Sequence, residues 1–165
     1  LGALDLVRSV TALAPAGFWT ASQRRYAITL LSAHRRTAGL PGPLLRRLAG
    51  SDRLRRQSLR FLYGRPERVT TDVFLADSWS LSRCVAFEPT AVFGLHYECF
   101  AQPVVPTAIA WGDRDRILPP SQGKTAMTRL PRAEHVEMPG CGHIPMTDDP
   151  ERVAAVIKHT TRMKV

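Results

Sequence analysis

Two glycine-containing loops carry the residues best suited to chemistry in this sequence. Asp115 lies in the segment Trp111–Pro119, directly after an apolar run, and His143 lies in the segment Pro139–Met146. A carboxylate that accepts a hydrogen bond from one imidazole nitrogen fixes the tautomer, so the other nitrogen can take a proton from a nucleophile. Asp115 and His143 are therefore candidates for the acid and the base of nucleophilic catalysis, provided that the fold brings the two loops together.

The elements around these loops predict an α/β fold. The nearly continuous apolar run Val104–Trp111 is typical of a strand buried on both faces of a parallel sheet, and Glu134–Met138 alternates as a strand does. The β-branched stretch Val7–Ala14 predicts another strand. Because ligands bind beyond the carboxyl ends of parallel strands, the loops after two of these strands are the expected site. Helices are predicted from Ser121, as a cap, to Arg129 and from Asp149–Pro150 onwards.

Residues 18–100 read as a run of short helices without a convincing strand. Apolar positions recur at helical spacing, and Gly or Pro follows most of the segments. The predicted helices span residues 22–38, residues 51–63 with Ser51 or Asp52 as cap, residues 70–85 with Thr70, Thr71 or Asp72 as cap, and residues 89–100.

The segments Val105–Asp115 and Gly140–Pro145 resemble the acid loop and the histidine loop of the α/β-hydrolase superfamily. In that family the acid lies three residues after the glycine, which selects Asp115 over Asp113, and the histidine follows Gly-x-Gly, which selects His143. The resemblance implies the C-terminal part of an α/β-hydrolase fold, with about three parallel strands and a helical cap insertion. It implies that residues 1–17 and 101–165 form a partial core and that residues 18–100 form the cap.

The sequence departs from the family pattern at the nucleophile. No G-x-S-x-G elbow occurs, nor one with Cys or Asp at its centre, and the oxyanion loops are absent too. Cys141 lies between the two glycines before His143 and is interpreted as a spacer. We therefore expect a fragment of a longer enzyme, inactive alone, whose complete form cleaves an ester-like or related bond of a small lipophilic substrate. The subtype stays open among esterase, dehalogenase, epoxide hydrolase, C–C hydrolase and haloperoxidase, and no metal or organic cofactor is implied.

A second hypothesis is a non-catalytic remnant, or one half of a split hydrolase that binds an N-terminal half or a second copy through an open sheet edge. A third is an Arg-rich nucleic-acid binder, because Lys and Arg number 23 against 14 Asp and Glu, with a net charge of +9. The Arg residues of the segment 46–68 alternate with Leu, which favours an amphipathic solvated face over a phosphate-binding surface. Three unpaired cysteines and the lack of an apolar run of about 20 residues predict a cytoplasmic protein without a membrane span.

Overall fold

A three-stranded parallel sheet lies at the centre of the computed structural model, which describes residues 6–163. In spatial order the strands are β1 (Val10–Leu13), β2 (Thr107–Gly112) and β3 (Glu134–Met138). Every residue of β2 is buried, because this strand has a neighbour on each side and packs on both faces, and this explains its continuous apolar sequence. Residues 1–5 of the predicted core segment 1–17, and residues 164–165, lie outside the described residues.

Helices precede, separate and follow the last two strands. Five of them lie between β1 and β2, as predicted for a helical segment at residues 18–100. Within the described residues the helices are α1 (Ala21–Ala38), α2 (Gly42–Gly50), α3 (Asp52–Leu59), α4 (Thr71–Arg83), α5 (Phe87–Gly94), α6 (Pro120–Arg129), α7 (Pro145–Asp148) and α8 (Pro150–Thr160), with a 3-10 turn at Pro66–Arg68.

The two faces of β2 pack against different parts of the chain. Ala108 and Ala110 point to one face, where they contact Val153 and other apolar residues of α8. Ile109 and Trp111 point to the opposite face and belong to the larger core, which the helices between β1 and β2 share. This alternation follows from the two-residue period of a strand, and the small alanine side chains leave room for α8.

Side-chain caps start three of the predicted helices. Ser51 accepts from the backbone of α3, Thr70 from that of α4 and Asp149 from that of α8, which confirms the predicted caps. The prediction for Ser121 is wrong, because α6 already begins at Pro120 and has no side-chain cap. Proline fits the first turn of a helix, where its missing N–H costs no hydrogen bond.

Several predicted ends are corrected by the structure. The predicted helix 51–63 ends at Leu59, and the predicted helix 89–100 is α5, which ends at Gly94. Helix α2 was not predicted, although Pro43 occupies one of its first positions. The apolar pattern continues beyond these helix ends, so periodicity overestimates the helix lengths.

The strand β1 is shorter than the predicted Val7–Ala14. Its pairing begins where Val10 lies opposite Thr107, and the N–H of Val10 donates to the carbonyl oxygen of Pro106. Pro106 has no N–H to continue a ladder. The pairing of the two strands therefore starts at this proline.

Candidate active site

Asp115 is held in the turn that follows β2. Its side chain is fully buried, and Oδ1 accepts the backbone N–H groups of Ile117 at 2.9 Å and Leu118 at 2.8 Å. These two bonds fix the plane of the carboxylate and leave Oδ2 for another donor. That donor is Nδ1 of His143, at 3.0 Å.

His143 lies in the loop between β3 and α7, and its side chain keeps 23 % of its surface exposed. An ionised carboxylate can only accept hydrogen bonds, so the contact with Asp115 places the proton of a neutral imidazole on Nδ1. Nε2 is then left with a lone pair. The structure thus brings the two residues predicted from sequence into direct contact across 28 positions of the chain.

The histidine loop, residues 139–144, packs tightly against the acid loop, residues 112–118. Asp113 Oδ1 accepts the N–H of Gly140 at 2.6 Å, so Asp113 joins the two loops. A Cβ on Gly112 would overlap the backbone of Cys141, which explains the glycine there. Gly140 has φ +76°, a value that glycine tolerates.

The other side of the histidine loop contacts the helical segment, residues 18–100. The contact is made by the connection between α3 and the 3-10 turn. A Cβ on Gly142 would lie 2.5 Å from the nitrogen of Gly64 and 2.7 Å from the carbonyl oxygen of Leu62. The N–H of Ile144 donates to that same carbonyl of Leu62 at 3.1 Å. Close backbone approach, and not a positive φ, is therefore what requires glycine at position 142.

Asp148 is a buried carboxylate to which sequence reasoning gave no role. It is 0 % exposed and accepts three backbone N–H groups, those of Gly64, Arg65 and Gly142. Its only sequence signal is an acidic residue just before the helix start at Asp149–Pro150, a position that usually indicates a surface cap.

His143 borders two cavities. The first has a volume of about 540 Å³ and almost entirely apolar walls. Its lining comes mainly from α1, α5 and the acid loop, and includes Ala27, Ile28, Leu31, Ala91, Phe93 and Leu118 beside His143. An apolar pocket next to a histidine that carries a free Nε2 can hold the hydrocarbon part of a ligand.

The second cavity, of about 820 Å³, lies on the α4 side of the histidine ring and is more polar. Its lining includes Asp77 and the buried Tyr63, whose hydroxyl donates to Asp77 Oδ2 at 3.3 Å. Burial first, and the neighbouring Asp77 carboxylate second, raise the pKa of Tyr63 well above its usual range. Tyr63 therefore stays protonated as a hydrogen-bond donor at neutral pH.

The remaining candidates lie away from the pair or lack the properties of a nucleophile. Cys141 is 0 % exposed, and burial, with Asp148 nearby, raises the pKa of its thiol, which disfavours the reactive thiolate. His135 lies on β3 and contacts the carbonyl oxygen of Leu130. Among the aromatic residues of the helical segment, Trp19 lines the first cavity, whereas Trp79 is exposed.

Neither a metal-binding group nor a membrane span emerges from residues 6–163. No three His, Cys, Asp or Glu side chains in that range cluster as ligands for a metal ion. None of the helices there combines the length and the apolar character needed to cross a bilayer.

Comparison with known proteins gives the family. The model of the alpha/beta hydrolase family matches residues 1–156. Among curated proteins, an uncharacterized protein of Mycobacterium tuberculosis (strain ATCC 25618 / H37Rv) is 30 % identical over 60 residues, which cover 36 % of this chain and 18 % of that protein. A protein of Mycobacterium bovis matches to the same extent.

Solved structures of low identity share the fold. A bacterial membrane phospholipase A superposes with a TM-score of 0.62 at 22 % identity, over 98 % of this chain and 54 % of that one. A thermophilic esterase from Thermogutta terrifontis gives 0.54 at 18 % identity, over 92 % and 54 %. The chain thus spans about half the length of these structures. With the family model matching nearly its whole length, this α/β chain belongs to the alpha/beta hydrolase family.

Proposed function

We propose that Asp115 and His143 are the acid and the base of a hydrolase that acts through a nucleophile, a histidine and an acid. The observation that carries this proposal is the 3.0 Å contact between a fully buried carboxylate and a histidine ring that borders an apolar cavity. The family supports hydrolysis as the class of reaction.

In the proposed mechanism, Nε2 of His143 accepts the proton of a nucleophilic hydroxyl as the oxygen attacks the substrate carbonyl. The imidazolium then gives that proton to the departing alcohol, which leaves an acyl group on the nucleophile. Water repeats both steps: His143 takes a proton from the water and returns it to the nucleophile as the acid product leaves. Asp115 orients the ring and stabilises its charged form throughout.

The nucleophile is proposed to come from residues outside this sequence, because no elbow motif is present in it. The oxyanion donors would come from the same source. Residues 18–100 are proposed to be the cap of the enzyme, since α1 and α5 contribute a large part of the wall of the cavity that His143 borders.

The substrate is proposed to be a small lipophilic ester or a related molecule. The first cavity offers its apolar part almost no polar partner besides His143, so burial of hydrocarbon would supply the binding energy. Two of the structural neighbours are a phospholipase A and an esterase, which agrees with ester substrates.

A partner-binding half of a split hydrolase remains the second candidate. Within the described residues, β1 pairs with β2 on one side only, so its other edge is available to a further strand. Strand addition there, by an N-terminal half or by a second copy, would bury the edge.

The test compares the 165-residue chain with a longer protein that includes the upstream coding sequence. The chain alone should neither hydrolyse p-nitrophenyl esters nor react with a fluorophosphonate probe. The longer protein should do both, and His143→Ala should lower its turnover by about 10⁴-fold or more. His159→Gln is the matched control, because His159 is exposed and pairs with Glu134 far from the site. If the short chain hydrolyses the ester and His143→Ala abolishes that activity, the proposal of an external nucleophile is contradicted. If the longer protein keeps its turnover after His143→Ala, the role of His143 is contradicted.

A further inference from the structure

Asp148, at the end of α7, is a second fully buried acidic residue beside the site. Oδ2 accepts the N–H of Gly142 at 2.7 Å and that of Gly64 at 2.8 Å, and Oδ1 accepts the N–H of Arg65 at 2.7 Å. Hydrogen bonds to an ionised acceptor are about twice as strong as neutral ones. Asp148 therefore joins two chain segments that lie about 80 residues apart.

The main chain of Asp148 is held as well. Its carbonyl oxygen accepts the Nη1 groups of Arg65, at 3.2 Å, and Arg68. Both arginines belong to the helical segment, at or next to the 3-10 turn. The carboxylate and the carbonyl of Asp148 thus both form hydrogen bonds with the helical segment. Asp148 therefore has little freedom to move relative to that segment.

His143 is consequently fixed through both of its neighbours in the chain. Gly142, before it, donates to Asp148 Oδ2, and Ile144, after it, donates to the carbonyl oxygen of Leu62. The contacts of Gly142 with Gly64 and Leu62 leave no room for the loop to slide toward the helical segment. The backbone on both sides of the ring is thus held while Nδ1 contacts Asp115.

We propose that Asp148 is a positioning residue for His143: it holds the Gly142 amide, and with it the histidine ring, at the distance at which Nδ1 meets Asp115. This inference rests on the proposed role of His143. Because one oxygen binds both Gly64 and Gly142, Asp148 also couples the placement of residues 62–65 to that of the histidine. A shift of the helical segment, for example on binding a substrate, would move the base.

The experiment follows the His143 Nδ1 proton by NMR in ¹⁵N-labelled chain, together with hydrogen exchange of the Gly142 amide. In Asp148→Ala the Gly142 amide loses its acceptor, so its exchange should accelerate about tenfold or more. The downfield signal of the Nδ1 proton should broaden or vanish. Asp148→Asn should restore the signal, because the amide oxygen of Asn can face Gly64 and Gly142 and give up only the bond to Arg65.

Asp149→Ala is the matched control, since it removes the neighbouring carboxylate, which caps α8 and does not bond to the histidine loop. It should leave the Nδ1 proton signal unchanged. A purely structural role for Asp148 predicts lower stability with an unaltered Nδ1 signal in the folded molecules. An unaltered signal in folded Asp148→Ala, with Gly142 exchange within about twofold of wild type, overturns the proposal.

If Asp148→Ala does not fold, amide exchange in the wild-type chain tests the proposal instead. The proposal expects the amides of Gly64, Arg65 and Gly142 to be protected to a similar degree. An amide of Gly142 that exchanges as fast as an exposed one overturns it. Since the readouts report the His143–Asp115 contact and the amides bound to Asp148, and not turnover, failure of the proposed reaction in the longer protein is distinguishable from failure of this inference.

Discussion

The surroundings of His143 differ on its two sides. On one side, the exposed carboxylate of Asp113 and the buried carboxylate of Asp115 join the loops that follow β2 and β3, and the buried Asp148 holds the loop after β3. On the other side, α1 and α5 contribute an apolar wall, and Phe93 of α5 is 64 % exposed. Hydrogen bonds demand particular atoms at particular positions, whereas an apolar wall demands only shape. The first region is therefore suited to fix the position of a side chain, and the second tolerates apolar groups of different shapes.

The largest effect should come from Asp148→Ala, which breaks the hydrogen-bonded side. Three backbone N–H groups lose their acceptor, and each buried unsatisfied donor costs about 1–3 kcal/mol, so we expect a loss of about 4 kcal/mol in the free energy of unfolding. Urea denaturation measures it. Asp149→Ala, which removes only a helix cap, should cost about 1 kcal/mol. Equal losses in the two variants would show that burial of Asp148 contributes nothing special.

Gly64→Ala tests the close approach of the helical segment to the histidine loop. The new Cβ would lie 2.8 Å from the backbone nitrogen of Gly142 and nearer still to the carbonyl oxygen of Gly140. Backbone atoms cannot turn aside, so we expect a loss of about 2–3 kcal/mol in the free energy of unfolding. Gly50→Ala at the end of α2 meets nothing within 4 Å and should gain up to about 0.5 kcal/mol. A neutral Gly64→Ala would contradict the tight packing between the two regions.

Ala91→Phe tests the apolar side. Ala91 lines the first cavity, so a phenyl ring there should fill part of it and weaken the binding of decanoate about tenfold, or about 1.4 kcal/mol. Isothermal titration calorimetry gives the dissociation constants. Val92→Phe adds the same kind of group at the next residue of α5, which is exposed and outside the cavity lining, and should leave binding unchanged. Equal affinities of wild type and Ala91→Phe for decanoate would exclude the first cavity as the binding site.

The smallest effect should come from His34 of α1, which lines the second cavity. Burial lowers its pKa from 6.5, so the unfolded chain binds the proton more readily than the folded one. The stability from this residue is therefore present above pH 6.5 and is lost as the pH falls below it. Between pH 6.5 and 5 the wild type should lose more unfolding free energy than His34→Gln, by less than about 1 kcal/mol. Parallel pH profiles from urea denaturation would contradict a buried His34.

Local patterns in the sequence predict much of the hydrogen-bonded side. The apolar run of β2 and the glycines beside Cys141 place Asp115 and His143 in loops at one edge of a parallel sheet, where the structure finds them in contact. The family resemblance is confirmed by the match over residues 1–156. The catalytic roles of the two residues, and residues 18–100 as a cap, stay predictions.

The apolar side is less predictable because helical periodicity describes one face of one helix at a time. It gives the existence of α1, α3, α4 and α5 but misses α2 and overestimates two helix ends. It also cannot say that α1 and α5 leave a cavity of about 540 Å³ between them and His143, because a cavity depends on how helices are spaced.

The sequence by itself determined the α/β class, the two loops and the pair Asp115 and His143, since strands, turns and caps follow from residues that are close along the chain. Only the tertiary structure decided that Asp148 is buried, that Gly64 touches Gly142 and that Asp113 joins two loops. These contacts link positions from 6 to 84 residues apart. The sequence does not show whether a carboxylate will face water or accept hydrogen bonds from three buried amides, because its burial depends on segments that are distant along the chain.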